Sequence, residues 1–235
     1  MGGADEVVGG ATEKYESGCS ERGGWLKPSV RADPAPRRQA DRVRDMQKRL
    51  IDGTIVCLDR YGYAATSISA IQETAGVSRG AVLHHYPSRH DLMAATAQRL
   101  LDAAIRPTRE ARSRLAASSI PDFLAFHWRR VVNTREGRAF IEILAACRTD
   151  SALEAALSET FSRWDREIAE TAQRRFVSRS AEPDDAAILW AIGRAFLRGL
   201  IIHARFVDDR AYLERMLRRF GDLLASQLSL RTKAM

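Results

Sequence analysis

The residues whose types and spacing could do chemistry lie between Arg60 and Leu92, around the segment Ala75-Gly76-Val77-Ser78-Arg79-Gly80. Two short helices are predicted here, because Gly76 can take the positive φ of a tight turn and Ser78 can cap the second helix. Two helices crossed in this way form a helix-turn-helix, which places its second helix in the DNA major groove. The segment therefore predicts a sequence-specific DNA-binding regulator, although a glycine turn also occurs in ordinary helical hairpins.

Several short motifs around this segment occur in one order and at fixed spacing. They are Leu50, Ile55, Leu58, Gly62-Tyr63, Thr66-Ser67-Ile68, Ile71, Ala75-Gly76-Val77-Ser78-Arg79-Gly80-Ala81, His85-Tyr86-Pro87-Ser88-Arg89 and Asp91-Leu92. In these residues the chain resembles the N-terminal domain of TetR-family transcriptional regulators. Beyond about Arg106 it is similar to the family only in length and helical character.

The resemblance implies two sets of DNA contacts. Base edges would be faced by Arg79, Gly80, Ala81, Leu83 and His84. Phosphates would lie near Thr66, Ser67, Ser78, His85, Tyr86 and Arg89. The chemistry is suitable, since arginine can donate two hydrogen bonds to guanine, and serine and arginine can hold phosphates. For His85, packing within the domain is an equal alternative.

Three residues depart from the family pattern. Leu83 stands where Tyr is common, so an apolar contact, for example with a thymine methyl group, replaces a polar one. Gln72 stands where helix-turn-helix units usually have Ala, and its larger side chain would alter the crossing of the two helices. Arg89 replaces the usual Lys and offers a planar fork instead of a point donor. The operator sequence is therefore not predictable.

Charge agrees with a polyanionic partner but does not locate it. The net charge is +7 and the isoelectric point is near 9.8. Residues 41–106, however, carry nine Lys and Arg against seven Asp and Glu, a net charge of only +2. The motif, and not the bulk charge, indicates double-stranded DNA as the partner.

The cysteines and histidines indicate no metal or redox site. Cys19, Cys57 and Cys147 are isolated, which favours reduced thiols in a cytoplasmic protein. His84 and His85 point about 100° apart on a helix, so with His90 they make a poor ligand set. We expect no metal and no cofactor. The sequence also lacks the glycine, serine and histidine motifs of common enzymes, and we expect no enzyme activity.

The chain is predicted to be all-α in three parts. Residues 1–40 are rich in glycine, proline and mixed charge, and would form a disordered arm whose arginines could reach DNA. Residues 41–89 would form a three-helix DNA-binding head, and residues 90–235 a helical body. Further helices are expected over 90–105, 122–134, 138–148, 152–177, 184–206 and 209–228, with no convincing strand pattern. The apolar run 188–202 is interrupted by Arg194 and Arg198, so a packed helix is expected and not a membrane span.

The last two long helices carry wide apolar faces that could pair two subunits as a four-helix interface, as the family does. The interface would include Ile192, Phe196, Leu200, Leu213, Leu217, Phe220 and Leu224. A homodimer would present two recognition helices to a palindromic site. The alternative is that these faces only close the core of one subunit.

The resemblance also implies a small-molecule effector bound within the body. The candidate residues are His127, Trp128, Cys147, Arg148, Trp164, Trp190, Phe196 and His203, with Arg148 or Arg194 available for an acidic group. Aromatic residues at helical spacing are more often core, which is the alternative for most of them. The predicted function is a repressor released from DNA by an unknown effector. The alternative function is a helical protein-interaction adaptor with an altered DNA-binding head.

Overall fold

The computed structural model describes residues 39–110 and 119–231, and its regular structure is almost entirely helical. The prediction of an all-α fold with a helix-turn-helix head is therefore confirmed. The predicted arm, apart from Gln39 and Ala40, lies outside the described residues, as does Cys19.

Nine α-helices and one short sheet follow one another over the described residues. They are α1 (Gln39–Ala65), α2 (Ile68–Ala75), α3 (Arg79–His85), α4 (Arg89–Glu110), α5 (Ile120–His127), α6 (Arg135–Ala146), α7 (Ser151–Arg175), β1 (Phe176–Ser178), α8 (Asp185–His203), α9 (Arg210–Ala225) and β2 (Leu228–Leu230). A π-helical segment, Trp128–Val132, continues α5 toward α6. The predicted helices are all present, with ends shifted by a few residues.

Side-chain caps explain where the helices of the head begin. The Ser67 hydroxyl accepts the Ala70 N–H at 3.1 Å, and the Ser78 hydroxyl accepts the Ala81 N–H at 3.2 Å. Each cap satisfies a backbone donor that has no partner inside its helix. The sequence predicted Ser78 correctly and left Thr66 and Ser67 open for α2. Ser67 is the residue that caps α2.

The two-stranded antiparallel sheet was not predicted. Phe176 pairs with Leu230 and Ser178 with Leu228, so the end of α7 is bound to the segment after α9. Each strand has three residues, which is too short to show a period of two in the sequence. Phe176 and Leu228 are nevertheless almost fully buried, so the sheet closes one side of the body core.

The head and the body are held together by continuous packing. Leu50, Leu58 and Ile71 of the head are fully buried in one apolar cluster with Ile143 of α6 and Leu157 of α7. A second cluster forms between α5, α8, α9 and the sheet. The cluster shared by head and body means that a displacement of α6 or α7 must repack residues beneath the helix-turn-helix.

Gly53 has a packing role in α1, although glycine is unfavourable within a helix. A Cβ atom placed on Gly53 would lie 3.0 Å from the Ala75 Cβ, where the end of α2 crosses α1. The glycine costs about 1 kcal/mol of helix propensity relative to alanine. In return it lets α2 approach α1 closely and so fixes the position of the turn that follows.

Among the described helices, α8 has the length and apolar composition that could cross a membrane. In the structure its Trp190 and Leu197 are buried in the second cluster, and Arg194 forms an ion pair with Asp165 of α7. The helix thus packs against the body, as was predicted from the two arginines that interrupt its apolar run.

Candidate DNA-binding surface and body cavity

The turn between α2 and α3 is fixed from both sides. Gly76 has φ 63° and ψ 44°, the left-handed conformation that favours glycine, and the Val77 N–H donates to the Gln72 carbonyl at 3.0 Å. Arg49 of α1 donates to the carbonyls of Ala75 and Gly76 at 2.9 and 3.0 Å. These contacts, with the fully buried Ile71, hold the two helices in the crossed arrangement that was predicted.

The outer face of α3 is open. Arg79, Gly80, Leu83 and His84 are exposed, and Ala81 is half-buried. The Arg79 guanidinium has no hydrogen bond or ion pair to any residue that the structure describes. Leu83 is an apolar side chain with 42% of its surface exposed. The five residues predicted to face base edges thus share one accessible surface, and their base contacts remain predictions.

Part of the predicted phosphate set is also accessible. The hydroxyls of Ser67 and Ser78 cap their helices as acceptors, which leaves each hydroxyl proton free to be donated to a phosphate oxygen. His85 is half-buried and lies edge-on to His84, with ring centroids 5.3 Å apart. These three residues stay candidates for phosphate contacts.

The side chains of Thr66, Tyr86 and Arg89 make contacts inside the head, and their phosphate contacts stay predictions. Thr66 is fully buried, and its hydroxyl donates to the Gly62 carbonyl at 2.7 Å. Tyr86 is 8% exposed, and burial raises the pKa of its phenol. Arg89 donates to the carbonyls of Tyr63 and Thr66, and its guanidinium carbon lies 3.9 Å from the centroid of the Tyr63 ring. Here the arginine fork that replaces the usual lysine binds two backbone carbonyls at once.

Asp150, at the start of α7, joins the head to the body. Its carboxylate accepts the Tyr63 hydroxyl at 2.7 Å, lies 3.1 Å from Nε2 of His90, and caps α7 through the Leu153 N–H at 2.9 Å. The Tyr63 hydroxyl is the main cause that holds the pKa of Asp150 well below its usual range. Burial and the same hydrogen bond raise the pKa of Tyr63 to about 12. The end of α1 and the start of α4 are therefore both bound to one carboxylate of the body.

A second contact joins α1 to α6. Arg138 donates to both oxygens of Asp59, at 2.6 and 3.2 Å, and the Tyr63 N–H donates to Glu142 at 3.2 Å. The hydrogen bond with Asp59 raises the pKa of Arg138. The bidentate geometry fixes direction as well as distance, so it aligns α6 with the helix that supports α2.

The body contains a cavity of about 320 Å³, enclosed mainly by α4, α5, α6, α7 and α8. This volume is within the range of small-molecule sites. Aromatic rings form much of its wall: Phe123, His127, Phe140, Trp164, Phe176 and Trp190. Five arginines also line it: Arg99, Arg130, Arg175, Arg194 and Arg198.

Of the residues predicted to bind an effector, His127, Trp164 and Trp190 line this cavity, and so does Arg194. The other five predicted residues do not line this cavity. Trp128 lines a separate groove near the turn between α8 and α9, and Phe196 stacks on Phe220 with ring centroids 3.9 Å apart. His203 and Arg148 are exposed, and Cys147 ends α6 on the side of the head.

Arg198 also lines the cavity and was not among the predicted effector-binding residues. Arg194 and Arg198 are four residues apart, so they lie on one face of α8 and interrupt its apolar run together. The sequence showed this spacing, but periodicity alone could not place that face against a cavity. Burial, and next the charges of the same two arginines, lower the pKa of His127 to about 3, so its imidazole is neutral at physiological pH.

The predicted dimer residues divide between core and surface. Leu200, Leu217 and Leu224 are almost fully buried within the subunit, so the structure corrects the prediction for these three. Leu213, Phe196 and Phe220 are half-buried between α8 and α9, and Ile192 is exposed. The outward face of α8 carries the remaining apolar surface as a stripe: Ile188, Ile192, Ala195, Gly199, Ile202 and, just beyond the helix, Phe206. Their alternating spacing of four and three residues is typical of a helix that packs against another helix.

The chain is similar to known bacterial regulators. The sequence model described as "Bacterial regulatory proteins, tetR family" matches residues 50–96. The chain is 29% identical over 188 residues to the HTH-type transcriptional regulator CymR of Pseudomonas putida, covering 78% of this chain and 91% of the relative.

Solved structures share the fold. A TetR transcription regulator from Haloarcula marismortui superposes with a TM-score of 0.59 at 19% identity, covering 79% of this chain and 99% of its own. A transcriptional regulator from Saccharomonospora viridis, solved in complex with choline, has a TM-score of 0.56 at 18% identity and covers 80% and 100%. Residues 50–96 thus match the DNA-binding domain of TetR-family regulators in sequence and carry a helix-turn-helix in structure. Over most of its length the chain is similar to HTH-type transcriptional regulators, and it shares the fold of solved TetR-type regulators.

Proposed function

We propose that this protein is a homodimeric repressor that binds a roughly palindromic operator and leaves it when a small molecule occupies the body cavity. The observation that carries the DNA contact is the open face of α3, where Arg79 is exposed and has no described partner. An arginine that makes no intramolecular bond keeps all its donors for a guanine edge, and it loses no internal contact on binding. Ser67, Ser78 and His85 flank this face and would hold phosphates.

The stripe on α8 supports the homodimer. Ile188, Ile192 and Ile202 are 47, 51 and 56% exposed, and Phe206 is 83% exposed. A face of this kind is stabilised when it packs against a copy of itself, because a two-fold axis presents the same residues from both sides. Ala195 and Gly199 lie within the stripe, and a Cβ on Gly199 would meet no atom within 4 Å, so a partner helix can approach closely. A dimer would then place two copies of α3 about 34 Å apart, one turn of DNA.

The position of the cavity supports release by a ligand. Its wall includes Leu100, Ala103 and Ala104 of α4, and α4 begins at Arg89 directly after the helix-turn-helix. A ligand that favours one position of α4 would change the spacing of the two heads, and it weakens DNA binding by its differential affinity for the two arrangements.

The DNA proposal is tested by enrichment of a random duplex library on the purified chain at about physiological salt. We expect a palindromic motif, and we expect Arg79→Ala to lose selectivity for it. An exposed arginine of α9, Arg218, supplies the control Arg218→Ala, which should enrich the same motif as the wild type. If a folded sample enriches nothing, the proposal fails and the helical body is left as a protein-interaction adaptor.

A further inference from the structure

The wall that α7 and α8 give to the cavity carries three guanidinium groups, those of Arg175, Arg194 and Arg198, and the last two lie near the carboxylate of Asp165. Arg194 is 11% exposed and donates through Nη2 to Asp165 at 2.9 Å, while its Nε is buried without a hydrogen-bond partner in the described chain. Arg198, one turn further along α8, is half-buried and forms no hydrogen bond or ion pair with the residues that the structure describes. The positive charge of these two arginines therefore exceeds the negative charge of Asp165 beside them.

The two arginines influence each other. Burial, and next the charge of Arg194, lower the pKa of Arg198 to about 10, while Asp165 acts in the opposite direction. Arg198 is still protonated at neutral pH, so the cavity is lined by a half-buried cation that forms no ion pair with the described residues. This arrangement favours the entry of an anion, because a partly buried charge without a partner has lost part of its hydration without compensation.

The rest of the cavity is suited to an apolar ring. The guanidinium carbon of Arg194 lies 5.0 Å from the centroid of Trp164, and that of Arg198 lies 5.8 Å from the centroid of Phe140. Nε1 of Trp164 is a buried donor without a partner among the described atoms, and Nδ1 of His127 is likewise unpartnered. The aromatic wall and the arginine pair thus lie side by side, and five arginines against one carboxylate, Glu136, line the cavity.

We propose that the cavity binds an aromatic carboxylate, with the carboxylate between Arg194 and Arg198 and the ring against Phe140 and Trp164. A planar carboxylate can accept from both guanidinium groups, which would supply Arg198 with a partner and give Arg194 a second one. The proposal rests on the cavity being the effector site, and it narrows the effector to an amphipathic organic anion. Neutral or cationic compounds of the same shape would leave the charge of Arg198 unpaired.

The test is calorimetric titration of the full chain, without DNA, using 2-naphthoate and its neutral amide, 2-naphthamide. A charge-assisted pair of hydrogen bonds favours the carboxylate by about tenfold or more, which is the result expected for the wild type. Arg198→Gln should bring the two affinities to within about threefold, because the anion loses one of its two cations. Arg198→Lys should keep part of the preference, and Arg218→Gln, an exposed change on α9, should keep all of it.

The outcomes separate the ligand class from the regulatory role. Equal affinities for acid and amide in the wild type, tighter binding of the amide, or a preference that persists in Arg198→Gln would each overturn the proposal. Absence of binding by 2-naphthoate and by decanoate, an anion of another shape, would overturn it as well. Operator binding is measured in a separate titration. If 2-naphthoate binds with the expected preference and leaves the operator complex intact, the ligand class stands and release by that ligand fails.

Discussion

A charge placed in the middle of the α8 stripe should separate the proposed dimer. Ile192 lies near the centre of the stripe and is 51% exposed in the single subunit. In a two-fold interface the residue occurs twice, once on each protomer. Ile192→Glu would therefore bring two carboxylates into an apolar contact, where neither has a counter-charge from the stripe. We expect the chain to become monomeric over a concentration range in which the wild type is dimeric.

The magnitude follows from the exposed fraction. Full burial of an isoleucine side chain contributes about 1.5–3 kcal/mol, so burial of the remaining half contributes ~1 kcal/mol on each protomer. Two copies give ~2 kcal/mol, which corresponds to roughly a 30-fold increase in the dissociation constant of the dimer. The desolvation of two carboxylates adds to this loss. A 30-fold change is thus the lower end of what we expect.

Sedimentation velocity over a dilution series measures the dissociation constant directly. Val177→Glu provides a matched control, because Val177 is a β-branched apolar residue that is 40% exposed on β1 and does not belong to the stripe. It should dimerise as the wild type does. A wild-type dissociation constant for Ile192→Glu, with thermal melting confirming that both variants fold, would refute the assignment of this face to the interface. Dissociation of Val177→Glu alone would place the interface at the sheet.

Three further outcomes are expected. Arg79→Ala should weaken operator binding by about 1–3 kcal/mol, because α3 loses its guanidinium. Fluorescence anisotropy measures the affinity, and the loss of affinity for a scrambled duplex should be much smaller. Asp150→Asn should make the free energy of unfolding depend less steeply on pH in the acid range. The Tyr63 hydroxyl, followed by other donors, lowers the pKa of Asp150. The carboxylate therefore stabilises the wild type above its ordinary pKa, and this contribution is lost as the pH falls toward the lowered value. Urea unfolding at a series of pH values measures the contribution, and parallel curves for variant and wild type would contradict the prediction. His127→Gln should reduce the loss of stability between about pH 6.5 and pH 3. Burial, Arg194 and Arg198 lower the pKa of His127 from 6.5 to about 3, so over this range the unfolded chain binds a proton that the folded chain does not. If the free energy of unfolding of the variant has the same pH dependence as that of the wild type, His127 is not the group responsible.

The helix-turn-helix could be predicted because its signals are local. Gly76 supplies a left-handed turn and Ser78 caps the next helix, and both effects involve atoms only a few residues apart. The same reasoning did not predict the contacts of Arg89 inside the head. Its side chain reaches back to carbonyls 23 and 26 residues earlier, and no local pattern distinguishes that arginine from one that faces a phosphate.

The body was less predictable because its details depend on distant packing. The apolar faces of α8 and α9 were recognised, but which leucines close the subunit depends on how α5 and the sheet pack against them. Leu217 and Leu224 are therefore buried, whereas Ile192 of the same predicted set is exposed. The cavity could not be predicted for the same reason. Trp164 and Arg198 belong to different helices, and their proximity depends on how those helices pack in the folded protein.

The two functional regions are connected by α4. Arg89, its first residue, is bonded to carbonyls of the head, and His90 lies against Asp150. Arg99 and Leu100 line the cavity ten residues later, which is ~15 Å along one helix at about 1.5 Å per residue. A rigid helix transmits a change of tilt over this distance, whereas a loop would absorb it. A ligand bound in the cavity, as proposed, would therefore bias the orientation of the helix-turn-helix, and the size of the bias would be limited by the difference between its affinities for the two positions of α4.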